Sequence, residues 1–368
     1  MNAQRSILHI IGAIVAGGAE VFVTNLACAQ AAQNSEITVF SLSCKIDSVG
    51  RSLREKLNDS GVKFVSGPTE DVRLRSVLAL RKQLNSHSYD IVHLHTPNTE
   101  LAFALASCIA NWKPLVARTI HSTRALTNPV LLIAYKKNGV PVSVACGAAV
   151  KKSDWLKNMN VIVIENGVDF SWPIQTKKIS ALYKESLGFD PGKRHFVSIG
   201  SMRGSSPASA DKAHDVLFRA WAQAALFNRA ILHVVGDGPL RSELESLVAE
   251  DTSVEFHGIK SNVIEYLLAS DFFVMPSRKE GLPIAGIEGM GAGLTCLFSN
   301  IPELVDLDNS SSRRFEVNDI AGLARLLQEA CDDRVWPRLE EIENFRARYG
   351  IAGTAEQYEH YYDLLVKR

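Results

Sequence analysis

Short apolar runs alternate along the chain with longer stretches whose apolar positions recur at three- and four-residue spacing. Ile7 to Ile11 is the first run. A glycine-bounded loop, Gly12 to Gly18, follows it. Val23, Leu26, Ala27 and Gln30 then fall on one face of a helix running from Ala19 to about Ala32, and Ile37 to Leu42 reads as the second strand. The pattern predicts helices over Ser52 to Asn58 and Leu74 to Asn85, and buried strands at Asp90 to His95, Leu115 to Ile120 and Val142 to Gly147. Val161 to Glu165 leads into Asn166 to Asp169. Phe170 to Lys193 has mixed polarity and two prolines, Pro173 and Pro191, and reads as a linker.

The pattern then restarts. His195 to Ile199 is a strand, and Lys212 opens a helix that puts Val216, Leu217, Ala220 and Trp221 on one face. Strands follow at Ala230 to Val235 and Val254 to Phe256, separated by a glycine turn and helix, Gly236 to Leu244. Phe272 to Met275 is a strand ended by Pro276. A helix begins near Pro283, is stopped by Gly291 and Gly293, and gives way to a strand at Leu294 to Phe298. Helices over Ala321 to Ala330, Val335 to Tyr349 and Thr354 to Leu365 finish the chain. Repeated strand–helix–strand order predicts parallel, doubly wound α/β sheets. The restart, within a length of 368 residues, predicts two domains.

Composition removes several alternatives. Formal net charge is zero, which argues against electrostatic capture of nucleic acid. The six cysteines contain no C-x-x-C pair and read as reduced residues of a cytoplasmic protein, not as a disulfide or zinc framework. The longest apolar run, Leu101 to Trp112, is too short to span a bilayer. Arg5 and the apolar residues after it have the outline of a signal peptide, but His9 interrupts them and a helix resumes after Gly18, so they read as a first strand.

Candidate chemistry concentrates between Asp271 and Val305. Glu280 lies in the loop before the helix at Pro283, and Glu288 lies within that helix. Eight helical steps advance roughly 12 Å, so the pair cannot act as neighbouring acid and base on one bond. Between them a helix starts near Pro283, and free backbone N–H groups at Ile284, Ala285 and Gly286 favour an anion. An anion in the middle with carboxylates for hydroxyl groups at either end suits a nucleotide sugar.

The stretch PSRKEGLPIAGIEGMGAG resembles the E-x(7)-E donor-site signature of family 4 retaining glycosyltransferases, departing at Gly289, where that family usually carries alanine. GGAE, with Gly17 and Gly18, is similar to the family's N-terminal donor-facing loop, NGVD at Asn166 to Asp169 to its hinge, and GDGPLRSEL to a further family turn. The resemblance implies the GT-B fold: two Rossmann-like doubly wound domains facing across a cleft. Residues 1–168 form the acceptor-side domain, with the terminal helix 350–368 crossing back onto it, and residues 169–349 form the donor domain. By the same resemblance Glu280 would hold hydroxyls of the donor sugar and Glu288 those of the ribose. Lys212 would grip the diphosphate together with Arg203, the only arginine at hand, in a loop longer than its relatives carry and expected to be mobile until donor binds. His121 would face the donor sugar, and Gly258, Ile259 and Lys260 would lie along the base. His95 is a weaker candidate, structural or acceptor-side.

The implied reaction is transfer of a hexosyl group from a UDP- or GDP-type sugar to a saccharide or lipid-linked saccharide, in polysaccharide, lipopolysaccharide or capsule assembly. No cofactor and no metal ion is expected: Asp306 and Asp308 spell D-x-D but follow the donor motif as a loop. The alternatives are a catalytically silent nucleotide-sugar-binding protein, and another enzyme of the same fold such as a nucleotide-sugar epimerase or a phosphorylase. Val130 to Ile133 form an apolar cluster beside Arg124, Lys136 and Lys137, which suits peripheral contact with the inner face of a membrane; the same cluster also suits a helix packed within the first domain.

Overall fold

The computed structural model describes residues 5–107, 114–123 and 142–366. The apolar and basic segment around Val130 to Ile133, and the end of the run at Leu101 to Trp112, lie outside the described residues. The chain divides into two compact units, residues 1–169 with 349–368, and residues 170–348.

Among its described residues the first unit holds seven parallel strands: β1 (Ser6–Ile11), β2 (Glu36–Ser41), β3 (Lys63–Ser66), β4 (Ile91–Leu94), β5 (Leu115–Ile120), β6 (Ser143–Ala145) and β7 (Val161–Val163), in the order β3-β2-β1-β4-β5-β6-β7. β1 pairs with β2 on one side, Ser6 opposite Glu36, and with β4 on the other, Ile7 opposite Ile91. Leu8, Ile10, Phe40, Val92 and Leu94 form its core with Leu80 and Phe103 from the covering helices. Full burial of each large side chain is worth about 1.5–3 kcal/mol. The terminal helix Ile351–Val366 belongs to this unit and buries Tyr358, Tyr361 and Tyr362. Each phenol finds a polar partner: Thr119 Oγ1 at 2.9 Å for Tyr358, the Val142 carbonyl at 2.5 Å for Tyr361 and His93 Nδ1 at 2.8 Å for Tyr362. Arg5 pairs with Glu359 at 2.7 Å and with Asp363, tying β1 to that helix.

The second unit repeats the plan with β8 (Arg194–Ile199), β9 (Ala230–Val235), β10 (Val254–Gly258), β11 (Phe272–Met275), β12 (Thr295–Ser299) and β13 (Arg313–Phe315), ordered β10-β9-β8-β11-β12-β13. Phe196, Trp221, Phe272, Leu297 and Leu323 anchor its core. In both sheets strand order reverses beside the unit's first strand, between β1 and β4 and between β8 and β11. Such a switch point opens a crevice at the strand C-termini where α/β proteins bind ligands.

Four sequence expectations need correction. The supposed linker contains a helix, Lys177–Leu187, capped by Thr176 and ended by Gly188 in the left-handed region. Lys212 does not open a helix; it precedes His214–Ala224, and Ala213 takes a positive φ of 49° to start it. Gly291 lies within the helix Ile284–Ala292, and Gly293 alone ends it, with φ 85°. The strand expected at Leu294 to Phe298 is not the last, because β13 extends the sheet; Asp306 and Asp308 lie in the connection, exposed on either side of a buried Leu307.

Candidate active site

The second unit gathers its candidate residues at the switch point between β8 and β11. The chain leaves β8 at Gly200, whose N–H donates to the Val235 carbonyl at 3.0 Å. Gly236 faces it with φ 139°, and a Cβ there would lie 2.0 Å from the Gly200 carbonyl oxygen, so only glycine fits. Gly236 in turn donates to the Gly258 carbonyl at 2.9 Å. The ends of β8, β9 and β10 are thereby locked side by side. Lys212 lays its aliphatic stem over Gly200 and points its ammonium at Glu280, with Nζ 2.7 and 2.9 Å from the two carboxylate oxygens. Ser277 donates to the same carboxylate at 2.6 Å. The structure thus brings Lys212 and Glu280 into one charge-assisted pair.

The long loop between Gly200 and Lys212, expected to be mobile until donor binds, carries an anchor along its second half. Arg278 forms a fork on the buried Asp215 carboxylate, 2.9 Å for each nitrogen, and reaches the Pro207 and Ala210 carbonyls at 3.2 and 2.9 Å. Its backbone N–H donates to the Asp211 carbonyl at 2.7 Å. Arg203 is exposed on that loop and makes no ion pair among the described residues.

Beyond Glu280 the helix Ile284–Ala292 starts at Pro283 with no side-chain cap, leaving first-turn N–H groups at Ile284 and Ala285 for an anion. Glu288 sits one turn further along, buried to 9 % exposure. Gly289 packs on the Phe273 ring; a Cβ there would stand 2.9 Å from two ring carbons, which accounts for glycine where alanine was expected. Burial first, then the Glu280 charge, holds the Glu303 carboxyl above its ordinary range, against hydrogen bonds from the backbone N–H groups of Glu303 and Glu280. At the end of β10, Gly258 has φ 67°, Ile259 is exposed, and the Lys260 ammonium lies 5.9 Å from the Tyr266 ring centre.

Gly17, Gly18 and His121 belong to the first unit. Gly17 is the N-cap of Gly18–Ala32, and the Glu20 carboxylate folds back over it. His121 ends a buried relay. Gln30 turns its amide nitrogen to Tyr362, at 3.3 Å, so its oxygen accepts from His9 Nε2–H at 2.8 Å. His9 Nδ1 then accepts from His95 Nε2–H at 3.0 Å, and His95 Nδ1 accepts from His121 Nε2–H at 3.3 Å. His121 is left with an unprotonated Nδ1. Burial lowers the pKa of His9 and His121 to about 4 and holds that of His95 well below its ordinary value, so the relay is neutral near pH 7. The end group can accept a hydrogen bond and carries no charge.

Sequence reasoning missed the Arg278 clamp, Glu303, and the relay behind His121. Arg278 and Glu303 stood inside quoted stretches without a distinguishing signal. His9 had one: a polar residue in the middle of an otherwise apolar strand.

Comparison with known proteins bears on both units. The family model described as "Glycosyltransferase Family 4" matches residues 16–172, and the one described as "Glycosyl transferases group 1" matches residues 193–333. The chain belongs to glycosyltransferase family 4. This glycosyltransferase is 26% identical over 284 residues to the UDP-Gal:alpha-D-GlcNAc-diphosphoundecaprenol alpha-1,3-galactosyltransferase of Escherichia coli, covering 71% of each chain. It is 24% identical over 318 residues to the N-acetyl-alpha-D-glucosaminyl L-malate synthase of Bacillus anthracis, covering 81% of this chain and 80% of that one. Among solved structures, Anabaena HepE in complex with UDP and glucose superposes with a TM-score of 0.78 at 15% identity, over 97% of this chain and 99% of that one. Its fold is GT-B. No helix among the described residues of the glycosyltransferase is long and apolar enough to cross a membrane.

Proposed function

We propose that this glycosyltransferase moves a hexosyl group from a UDP-sugar to a saccharide carried on a lipid diphosphate, with retention of anomeric configuration and without a metal at the sugar diphosphate. The observation that carries the reading is the Lys212–Glu280 pair at the switch point, beside an uncapped helix N-terminus that leads to the buried Glu288. Lys212 and the N–H groups at Ile284 and Ala285 supply positive potential for a departing diphosphate. Arg203, exposed and without an ion pair among the described residues, can swing to the same anion. Glu288 accepts from ribose hydroxyls and Glu280 from sugar hydroxyls. Gly258, Ile259 and Lys260 flank the base. The neutral His121 accepts at Nδ1 from a donor-sugar hydroxyl, and its lone pair favours the positive charge that develops on the sugar ring. Gly17 and Gly18 let the chain pass close to the donor.

The relatives support the substrate class. One is named for a UDP-galactose donor and a diphosphoundecaprenol-linked acceptor, and the HepE structure holds UDP and glucose. A lipid-linked acceptor places the reaction at the cytoplasmic face of a membrane, approached through the first unit. The test is UDP release from a panel of UDP-hexoses, with GDP-, ADP- and TDP-sugars as comparison, in the presence of short lipid-diphosphate saccharides. Acceptor-dependent release from a UDP-sugar, with an α-linked product, is expected. A product of inverted configuration, or turnover confined to another nucleotide, would refute the proposal. Flotation with anionic liposomes at low salt tests membrane contact; equal absence from anionic and neutral lipid fractions would remove it.

A further inference from the structure

A second cluster of ligating side chains lies in the second unit, on the outer strands of its sheet, next to the turn proposed to flank the base but sharing none of its residues. His233 on β9 stands directly opposite Glu255 on β10, and His257 follows two residues later on β10. The pairing register shifts between Phe256 and Gly258, so a bulge falls at His257. Bulges re-aim side chains. Here the ring of His257 is brought onto its neighbours: His257 Nε2 lies 2.9 Å from His233 Nδ1 and 3.6 Å from Glu255 Oε2, and His233 Nδ1 lies 3.3 Å from the same oxygen.

We infer that His233, Glu255 and His257 form a binding site for a divalent transition-metal ion of the zinc class. Ligands held about 2.0–2.2 Å from such an ion, at angles between right-angled and tetrahedral, stand about 2.8–3.6 Å from one another. The three distances match that spacing. Two imidazoles and a carboxylate suit zinc better than magnesium or calcium, which prefer all-oxygen shells.

The surroundings fix the ligand atoms. The Asp190 carbonyl can only accept, so His195 Nε2–H donates to it at 2.8 Å. His195 Nδ1 then accepts from His233 Nε2–H at 2.9 Å, which leaves His233 Nδ1 with its lone pair facing the cluster. Phe189 stacks flat on the His233 ring, centroids 3.8 Å apart and planes 1° from parallel, and holds its orientation. An outer partner that sets tautomer and ring angle is what metal-bound histidines generally have. Without an ion, His257 Nε2–H donates to His233 Nδ1. Binding needs only that the His257 proton move from Nε2 to Nδ1, with Glu255 ionised. Glu255 is exposed, which gives an ion access from solvent and leaves the fourth position to water.

The other group of clustered histidines, His9, His93 and His95, is fully buried, and both ring nitrogens of His93 are taken by Tyr362 and Thr119 at 2.8 Å. It serves as an internal control. The test uses the untagged full chain, stripped with chelator and titrated with zinc by calorimetry and with cobalt(II) by visible absorption. Wild type should take up one ion per chain and show cobalt d–d bands. Glu255→Gln, an exposed and isosteric change, should weaken uptake by about a hundredfold or more, and His195→Asn by about tenfold to a hundredfold. Circular dichroism establishes that each variant is folded, and His257→Asn replaces any that is not. Failure of the wild type to bind either ion, or equal uptake by wild type and Glu255→Gln, would overturn the assignment.

Discussion

Lys212 and Glu280 neutralise each other at 2.7 Å, with Glu280 largely shielded from solvent. A diphosphate that recruits Lys212 must compete with that carboxylate. Glu280→Gln should therefore leave UDP affinity unchanged or raise it, while turnover of the UDP-sugar falls at least about tenfold, the loss of a hydrogen bond of roughly 1.5 kcal/mol made to the sugar. A fall in UDP affinity matching the fall in turnover would contradict this division of labour. Gly289 offers a second test, because two effects oppose. Alanine gains about 1 kcal/mol of helix propensity. Its Cβ would meet the buried Phe273 ring at 2.9 Å, and overpacking of that kind costs about 1–3 kcal/mol. Gly289→Ala should be destabilising in urea denaturation; a stabilised variant would show that the ring yields. Glu280 and Glu288 stood out in the sequence through their spacing about a helix start and the resemblance of that stretch to a family motif. The partner of Glu280 was not legible, since the pairing joins residues 68 positions apart.

At the scale of elements, the loop from Gly200 to Ala213 is anchored near its start by Met202, whose N–H donates to the Asp237 carbonyl at 3.0 Å, and along its second half by Arg278. Arg278→Met would leave the Asp215 carboxylate buried without its fork and release two carbonyls. It should raise KM for the donor several-fold with a smaller effect on kcat, because Lys212 loses its fixed position. It should also lower stability by about 1–3 kcal/mol. Unchanged KM would mean that the loop is set by its glycine contacts alone. The long amphipathic helices and buried strands were readable from apolar periodicity. The helix Lys177–Leu187 was not, because prolines flank it and Ser180 is the only residue it fully buries. Its Thr176 cap and Gly188 terminator were the available signals. β3 and β13 were missed for a related reason: both are short and lie at sheet edges, with too few apolar residues to make a run.

Across the whole molecule, histidines are buried in the neutral form in both units: His9, His121 and His214 at about 4, with His93 and His95 well below their ordinary range. Burial is the first cause in each. The unfolded chain titrates these groups near 6.5 and binds more protons than the folded one below that pH. Stability is then fully present above pH 6.5 and is lost as pH falls toward 4, by a few kcal/mol for each of His9, His121 and His214. Glu303 and Glu359, held above their ordinary range by burial, oppose this only close to pH 4.5. Thermal unfolding should therefore shift to lower temperature between pH 7 and pH 5; a flat profile would mean that the relay histidines accept protons without cost. Addition of magnesium or manganese to the metal-stripped protein should not raise turnover, since Lys212 and a helix terminus stand where a metal would be needed. The most direct test of the account is calorimetric titration of UDP, in chelator-treated buffer, into wild type, Glu288→Ala and Lys212→Met. The account predicts one UDP per wild-type chain, and affinities weakened about tenfold to a hundredfold in each variant, from the loss of one charge-assisted hydrogen bond of about 1.5–3 kcal/mol. Equal affinity for UDP in wild type and both variants would contradict it.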